Sequence, residues 1–332
     1  MKIFRSRPSG STVLFFCLLV CAVSLLLYPV PAMEAVSEGL YLCFETVIPS
    51  LFPFLVISSL LTALFPRALL QRRCSPITRR LFRLDGEAAA VLALGFCGGY
   101  PVGVRTTVTL YRSGVLSRSD AEHLLAFSNN SGPGFILGVV GVGLFSSVSV
   151  GLTLYVIHIC SALLVGVLFR YFKSEHIPPQ GRSCAASAPH FPKLLTEAIT
   201  GSFGVLLNIC SFVLFFMVVC RMLSFFGILH ALAAVLTALL APLGMTEPLA
   251  TAALAGFLEL STGCACLEGV ALTPLSAALL SFLLGWGGLS VHFQSLCFLL
   301  DSDLSAAPYW RGKLLQALFA FLITFLTVPA AL

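Results

Sequence analysis

Charged residues are what this chain has least of. They make up 10% of its 332 residues, against about 25% in an ordinary soluble protein, too few to cover a soluble fold of this size. Its long apolar runs are continuous and lack the alternation of barrel strands, which excludes a transmembrane β-barrel. The twelve cysteines form no Cys-x-x-Cys pair, so their spacing specifies neither a zinc site nor a dithiol motif. Cys264 and Cys266, the one close pair, read as small residues at a tight helix turn. The six histidines have no metal-ligand spacing, and no His-Glu-x-x-His, Gly-x-Ser-x-Gly or phosphate-loop pattern occurs. An enzyme is therefore not expected, and no cofactor or metal is implied.

What the chain has in abundance is apolar residues, 58% of the total, with a mean hydropathy of +1.00. They gather in runs of about 20, the length that spans a bilayer's hydrocarbon core. The expected fold class is an all-α polytopic membrane protein, with spans near 12–31, 44–65, 123–145, 147–170, 198–221, 274–300 and 314–332. The first run follows Lys2, Arg5 and Arg7 and resembles a signal peptide. It is long for one and ends in two prolines, so residues 1–34 are read as a retained N-terminal transmembrane helix. The net charge of +5 sits in short loops rather than in a patch for nucleic acid. With the N-terminus inside, the loops 66–86, 112–122, 171–197 and 301–313 become cytoplasmic, an orientation that places all the Lys and Arg inside except Arg105 and Arg221. A further apolar stretch, 226–243, is placed in the interface or beside a hairpin, because a crossing there would put Arg311 and Lys313 outside.

Two shorter apolar stretches, 88–112 and 247–272, are interrupted in the middle by glycine, proline or polar residues. Irregular backbone at membrane depth survives only where it is buried in protein or lines a cavity, so each reads as a re-entrant helical hairpin. Each is followed by a broken span, at Asn129-Asn130-Ser131-Gly132-Pro133 and at Gly285-Trp286-Gly287-Gly288. The order span, surface segment, hairpin, broken span, final span thus occurs twice. The first repeat is 35–172, a cytoplasmic loop covers 173–197, and the second repeat is 198–332. The two copies have opposite orientation, the inverted repeat of many secondary transporters, whose binding site lies where the breaks meet.

Polar groups within apolar stretches are the candidate site residues. Gly98, Gly99, Tyr100 and Gly103 form the first hairpin turn, where glycines let backbone N–H groups approach an anion. Arg105 follows them. It can hold a carboxylate through paired hydrogen bonds or snorkel to the interface beside Arg112. Asn129, Asn130 and Ser131 lie at a break where Pro133 withholds a backbone donor, and so can shape a binding site. Glu259, with Ser261 and Thr262 beside it, is the one acid deep in an apolar stretch, suited to coupling or gating. Asn208 shares a helical face with Gly201, Gly204 and Ser211, a stripe better suited to helix packing though open to gating. Ser290, His292 and Gln294 follow the second break, in reach of the same cavity, though His292 reads better as a helix–helix contact.

At Gly98-Gly99-Tyr100-Pro101-Val102-Gly103, Asn129-Asn130-Ser131-Gly132-Pro133 and Gly256-Phe257-Leu258-Glu259 with Thr262-Gly263, the chain resembles the YlbJ-type sporulation integral membrane proteins. These belong with the nucleoside-recognition, or Gate, domain proteins, distant relatives of concentrative nucleoside transporters. The resemblance runs from about residue 35 to the end. It implies a transporter in the outer forespore membrane of an endospore-forming bacterium, exporting dipicolinic acid from the mother cell. A dianion of that kind suits Arg105 and the hairpin N-termini. The expected partners are therefore a small anionic substrate and the lipid bilayer, with a coupling proton or sodium ion and a homo-oligomer left open, and no nucleic acid. A nucleoside carrier and a non-transporting sporulation scaffold are the alternatives.

Overall fold

The computed structural model describes residues 10–64, 67–172, 190–300 and 302–328. Among them there is helix and no strand, as lipid demands when each peptide group must find its partner within its own segment.

Helix α1 (Gly10–Leu27) is followed after Tyr28 by α2 (Pro29–Leu42), which passes through a π-helical turn, Cys43–Val47, into α3 (Ile48–Leu64). Residues 29–61 are thus one long apolar helix, so the stretch between the expected spans 12–31 and 44–65 is helical as well. Pro29 and Pro31 do not interrupt it, because they fall in the first turn of α2, where a missing N–H costs nothing. Next come α4 (Arg67–Phe82), with Arg79 paired to Asp85 at 2.8 Å, and then α5 (Glu87–Gly98) and α6 (Val102–Arg112). These two fold back on each other. At 12 and 11 residues each is under about 20 Å long and too short to cross alone. Gly99 terminates α5 at φ +73°, a left-handed conformation that glycine takes without strain.

The expected span 123–145 is divided. Helix α7 (Arg118–Leu125) is capped by Ser117, whose Oγ accepts from the Asp120 N–H at 3.1 Å. Residues 129–132 are irregular, and Gly134–Leu144 continue as a π-helical segment. Helix α8 (Val148–Phe169) is a full-length span. Helix α9 (Phe191–Phe225) starts within the stretch expected as the loop 173–197, of which 173–189 lie outside the described residues.

In the second half, α10 (Ile228–Leu240) bends by 120° into α11 (Glu247–Leu258) and packs beside it. Helix α12 (Leu260–Ala265) completes a second hairpin. Then follow α13 (Pro274–Trp286), α14 (Gly288–Leu300) and α15 (Ala307–Thr327). Between α13 and α14 the chain turns at Gly287 and Gly288, with φ of +91° and +79°.

Among the described residues, four helical stretches are long and apolar enough to cross a membrane: 29–61, 148–169, 191–225 and 274–300. The bent pair α10 and α11 adds a fifth if counted as one span. The protein is an all-α, multi-pass membrane protein. Of the seven expected spans, 123–145 and 314–332 are not among these stretches, because the break read from the sequence divides the first and α15 carries Arg311, Lys313 and Gln316 in its first half. α13 and α15 pack most extensively. A Cβ on Gly285 would stand 2.7 Å from Ala317 Cα, the close backbone approach that joins helices in lipid.

Candidate functional site

Both hairpin turns and both broken spans end on one cavity of about 70 Å³. Cys97 to Tyr100 of the first hairpin form one wall, and Glu259, Leu260 and Ser261 of the second form another. Between them lie Ser131, Gly132 and Gly134 from the first break and Ser290, Val291 and Gln294 from α14. The remaining wall is apolar, with Leu51, Phe54 and Leu55 of α3 and Ile209 and Val213 of α9.

Absent side chains hold the backbone this close. A Cβ on Gly99 would lie 3.1 Å from Gly132 N, and one on Gly103 would overlap the Ser128 carbonyl and stand 2.8 Å from Asn129 Cα. The first hairpin is thereby seated on the first break. The second repeats the arrangement: a Cβ on Gly288 would lie 2.9 Å from Leu260 N and 3.3 Å from Glu259 Cα. Trp286 fastens that hairpin, stacking on Phe257 at 5.0 Å and donating from Nε1–H to the Phe257 carbonyl at 3.2 Å.

Behind the cavity wall is a buried polar network centred on Lys313. Its Nζ donates to Tyr100 Oη at 2.8 Å, to Gln316 Oε1 at 2.9 Å and to the Asn129 carbonyl at 3.1 Å. Tyr100 Oη donates onward to the Leu284 carbonyl at 3.2 Å. Gln316 Nε2 donates to Asn130 Oδ1 at 2.8 Å, and Asn130 Nδ2 to the Phe127 carbonyl at 2.8 Å. Asn129 Nδ2 donates to Ser295 Oγ at 2.8 Å, and the Ser131 N–H to His158 Nε2 at 3.1 Å. The irregular residues 129–131 are therefore tied to α8, α14 and α15. This answers where unwound backbone in lipid finds its partners.

Of the residues expected from the sequence, Gly98, Gly99, Tyr100, Ser131, Ser261 and Glu259 line the cavity. Asn129 and Asn130 are fully buried behind its wall, and Gly103 packs on the break. Glu259 Oε2 accepts from Thr262 N–H at 2.6 Å and from Thr262 Oγ1 at 2.9 Å, and so caps α12. Ser290 and Gln294 are in the wall. His292 lies in a helix contact, its Nδ1 2.9 Å from Tyr309 Oη. Two residues stand elsewhere. Arg105 is exposed on α6, and Asn208 is exposed on α9 together with Gly201, Gly204 and Ser211, so neither is in the cavity wall and the small-residue stripe packs on no other described helix.

The largest correction concerns Lys313. The charge pattern assigns it to the end of a cytoplasmic loop, yet α15 begins at Ala307 and carries it into the interior, fully buried. One signal in the sequence points that way. Gly312, Lys313, Gln316, Ala317, Ala320 and Thr324 recur at helical spacing and form the buried face of α15.

No family model matches the chain, and no solved structure matches it. The chain is 30% identical over 325 residues to the sporulation integral membrane protein YlbJ of Bacillus subtilis, with 92% of this chain and 79% of that protein covered. A likeness of that extent, together with the apolar helical architecture, places this chain in the YlbJ family of sporulation integral membrane proteins.

Proposed function

We propose that the protein is a carrier rather than an enzyme, moving a small organic anion out of the mother-cell cytoplasm across the outer forespore membrane during sporulation. Dipicolinic acid is the substrate the family resemblance suggests. The observation that carries this reading is the convergence of two short hairpins and two helix breaks on a single cavity. Discontinuous helices meeting within a bundle are how transporters expose backbone groups to a solute while keeping them satisfied. The same sequence of hairpin, break and close glycine contact in each half supports an inverted repeat, in which one half rocks against the other. In this reading the glycine turn at 98–100 and Ser131 and Ser261 contact the solute, Asn129 and Asn130 with Thr262 hold the site's shape, and Glu259 couples or gates.

The test is counterflow. Vesicles containing the purified protein are loaded with unlabelled dipicolinate and supplied with labelled dipicolinate outside. Saturable accumulation, competed by dicarboxylates and not by nucleosides, is the expected result. Competition by nucleosides alone makes the protein a nucleoside carrier, and no counterflow of either leaves it a scaffold. Arg105→Ala belongs in the same experiment. Loss of counterflow with the protein still folded would give Arg105 a transport role despite its exposed position, and retained counterflow would remove it.

A further inference from the structure

Ser290 stands in the first turn of α14, 1% exposed, in the cavity wall, and its Oγ has no hydrogen-bond partner. A buried hydroxyl left unpaired is costly, and a ligand's acceptor removes that cost. Lys313 presents the second imbalance. Its three donors are all taken by neutral oxygens, and among the described residues no carboxylate is paired with it. The other ionisable groups around it are Tyr100, His158, His292 and Tyr309. None is an acid that balances it, and Glu259 is committed to the cap of α12. Donating to three oxygens at once takes all three protons of an ammonium. Such a charge in the interior with no counter-charge is costly, and it lies directly behind Tyr100, a residue of the cavity wall, with Nζ 4.9 Å from the ring centroid.

We infer that Ser290 and Lys313 select the solute's negative charge: Ser290 Oγ donates to a carboxylate oxygen in the cavity, and Lys313, a positioning residue acting through Tyr100, supplies the balancing positive charge. This rests on the carrier reading and names the residues that give it anion preference. The apolar wall from α3 and α9 would take the body of the molecule, so the ligand class is a compact carboxylate with an apolar or aromatic face.

The test compares pyridine-2,6-dicarboxylate with its uncharged diamide, first by thermal-shift binding to the purified full-length protein and then by counterflow. The wild type should prefer the dianion. Lys313→Met should lower the preference at least tenfold and Lys313→Arg should preserve most of it, because close charges across a medium of intermediate dielectric interact by more than about 1.4 kcal/mol. Ser290→Ala should weaken dianion binding about tenfold. A purely structural role would weaken both ligands alike and leave the ratio unchanged. An unchanged ratio in folded Lys313→Met, together with unchanged affinity in Ser290→Ala, overturns the inference. Should Lys313→Met fail to fold, the Ser290→Ala affinity and the ratio in Tyr100→Phe decide in its place. Absence of counterflow with charge-selective binding intact would count against the carrier reading alone.

Discussion

Replacing Gly103 by alanine separates close packing from glycine's flexibility as the reason the first hairpin is glycine-rich. Gly103 is within α6 and has ordinary helical geometry, so alanine is not strained there by its own backbone. The added methyl would overlap the Ser128 carbonyl and stand 2.8 Å from Asn129 Cα, where non-bonded carbons prefer about 3.5–4.0 Å. Both neighbours are backbone, so α6 must move off the break by about 1 Å. That loses a quarter to a half of the dispersion energy along the interface and costs about 1–3 kcal/mol as overpacking. It also stretches the Thr107 to Ser128 hydroxyl contact, now 3.3 Å, which contributes about 1 kcal/mol. The sum, about 2–4 kcal/mol, shifts the folded population by roughly 30- to 1,000-fold. Gly204→Ala is the control, since nothing lies within 4 Å of a Cβ there and alanine in a helix gains up to about 1 kcal/mol. Thermal unfolding in detergent should therefore fall sharply for Gly103→Ala and hold or rise for Gly204→Ala. Equal melting of the two variants would refute the claim that backbone contact fixes the hairpin on the break.

Three further outcomes are expected. Glu259→Gln keeps an acceptor for the Thr262 N–H, so the cap of α12 and the fold should survive within about 1 kcal/mol, while gradient-driven accumulation is lost and exchange remains; full accumulation by this variant would remove Glu259 from coupling. With Trp310→Phe, Trp286 is the one remaining tryptophan of the two, and its emission should shift on adding dipicolinate if the second hairpin moves against Phe257; a constant spectrum at saturation argues that this hairpin is static. Between α14 and α15, Asp303 accepts from the Tyr111 hydroxyl at 2.8 Å, which holds its carboxyl below the usual range. A depressed carboxyl contributes stability above its unfolded value and loses it as pH falls through the folded one, so this contact should open only in acid, and a titration of Asp303 in Tyr111→Phe should return towards the ordinary value of about 3.9; no change would leave the phenol without influence on it.

The membrane class and the two interruptions were legible because both are local. Runs of about 20 apolar residues have few alternatives to spanning helices, and Gly99, Pro133, Gly287 and Gly288 mark breaks whatever packs around them. The partners of those breaks were not legible. Nothing in the spacing shows that Asn130 meets Gln316, or that Tyr100 meets Leu284, since each pair joins residues more than 180 positions apart. Lys313 shows the limit most clearly. A base two residues after Arg311 and next to a polar loop reads as an orientation signal, and only the register of α15 against α13 and the first break turns it inward. Exposure had the same ambiguity for Arg105, one turn beyond the glycines and yet outside the cavity wall. The sequence alone determined that the chain lives in a bilayer and where its helices break, because hydropathy and glycine or proline geometry act within a few residues. The tertiary structure decided which polar groups share the interior, because burial and hydrogen bonding depend on faces brought together from opposite ends of the chain.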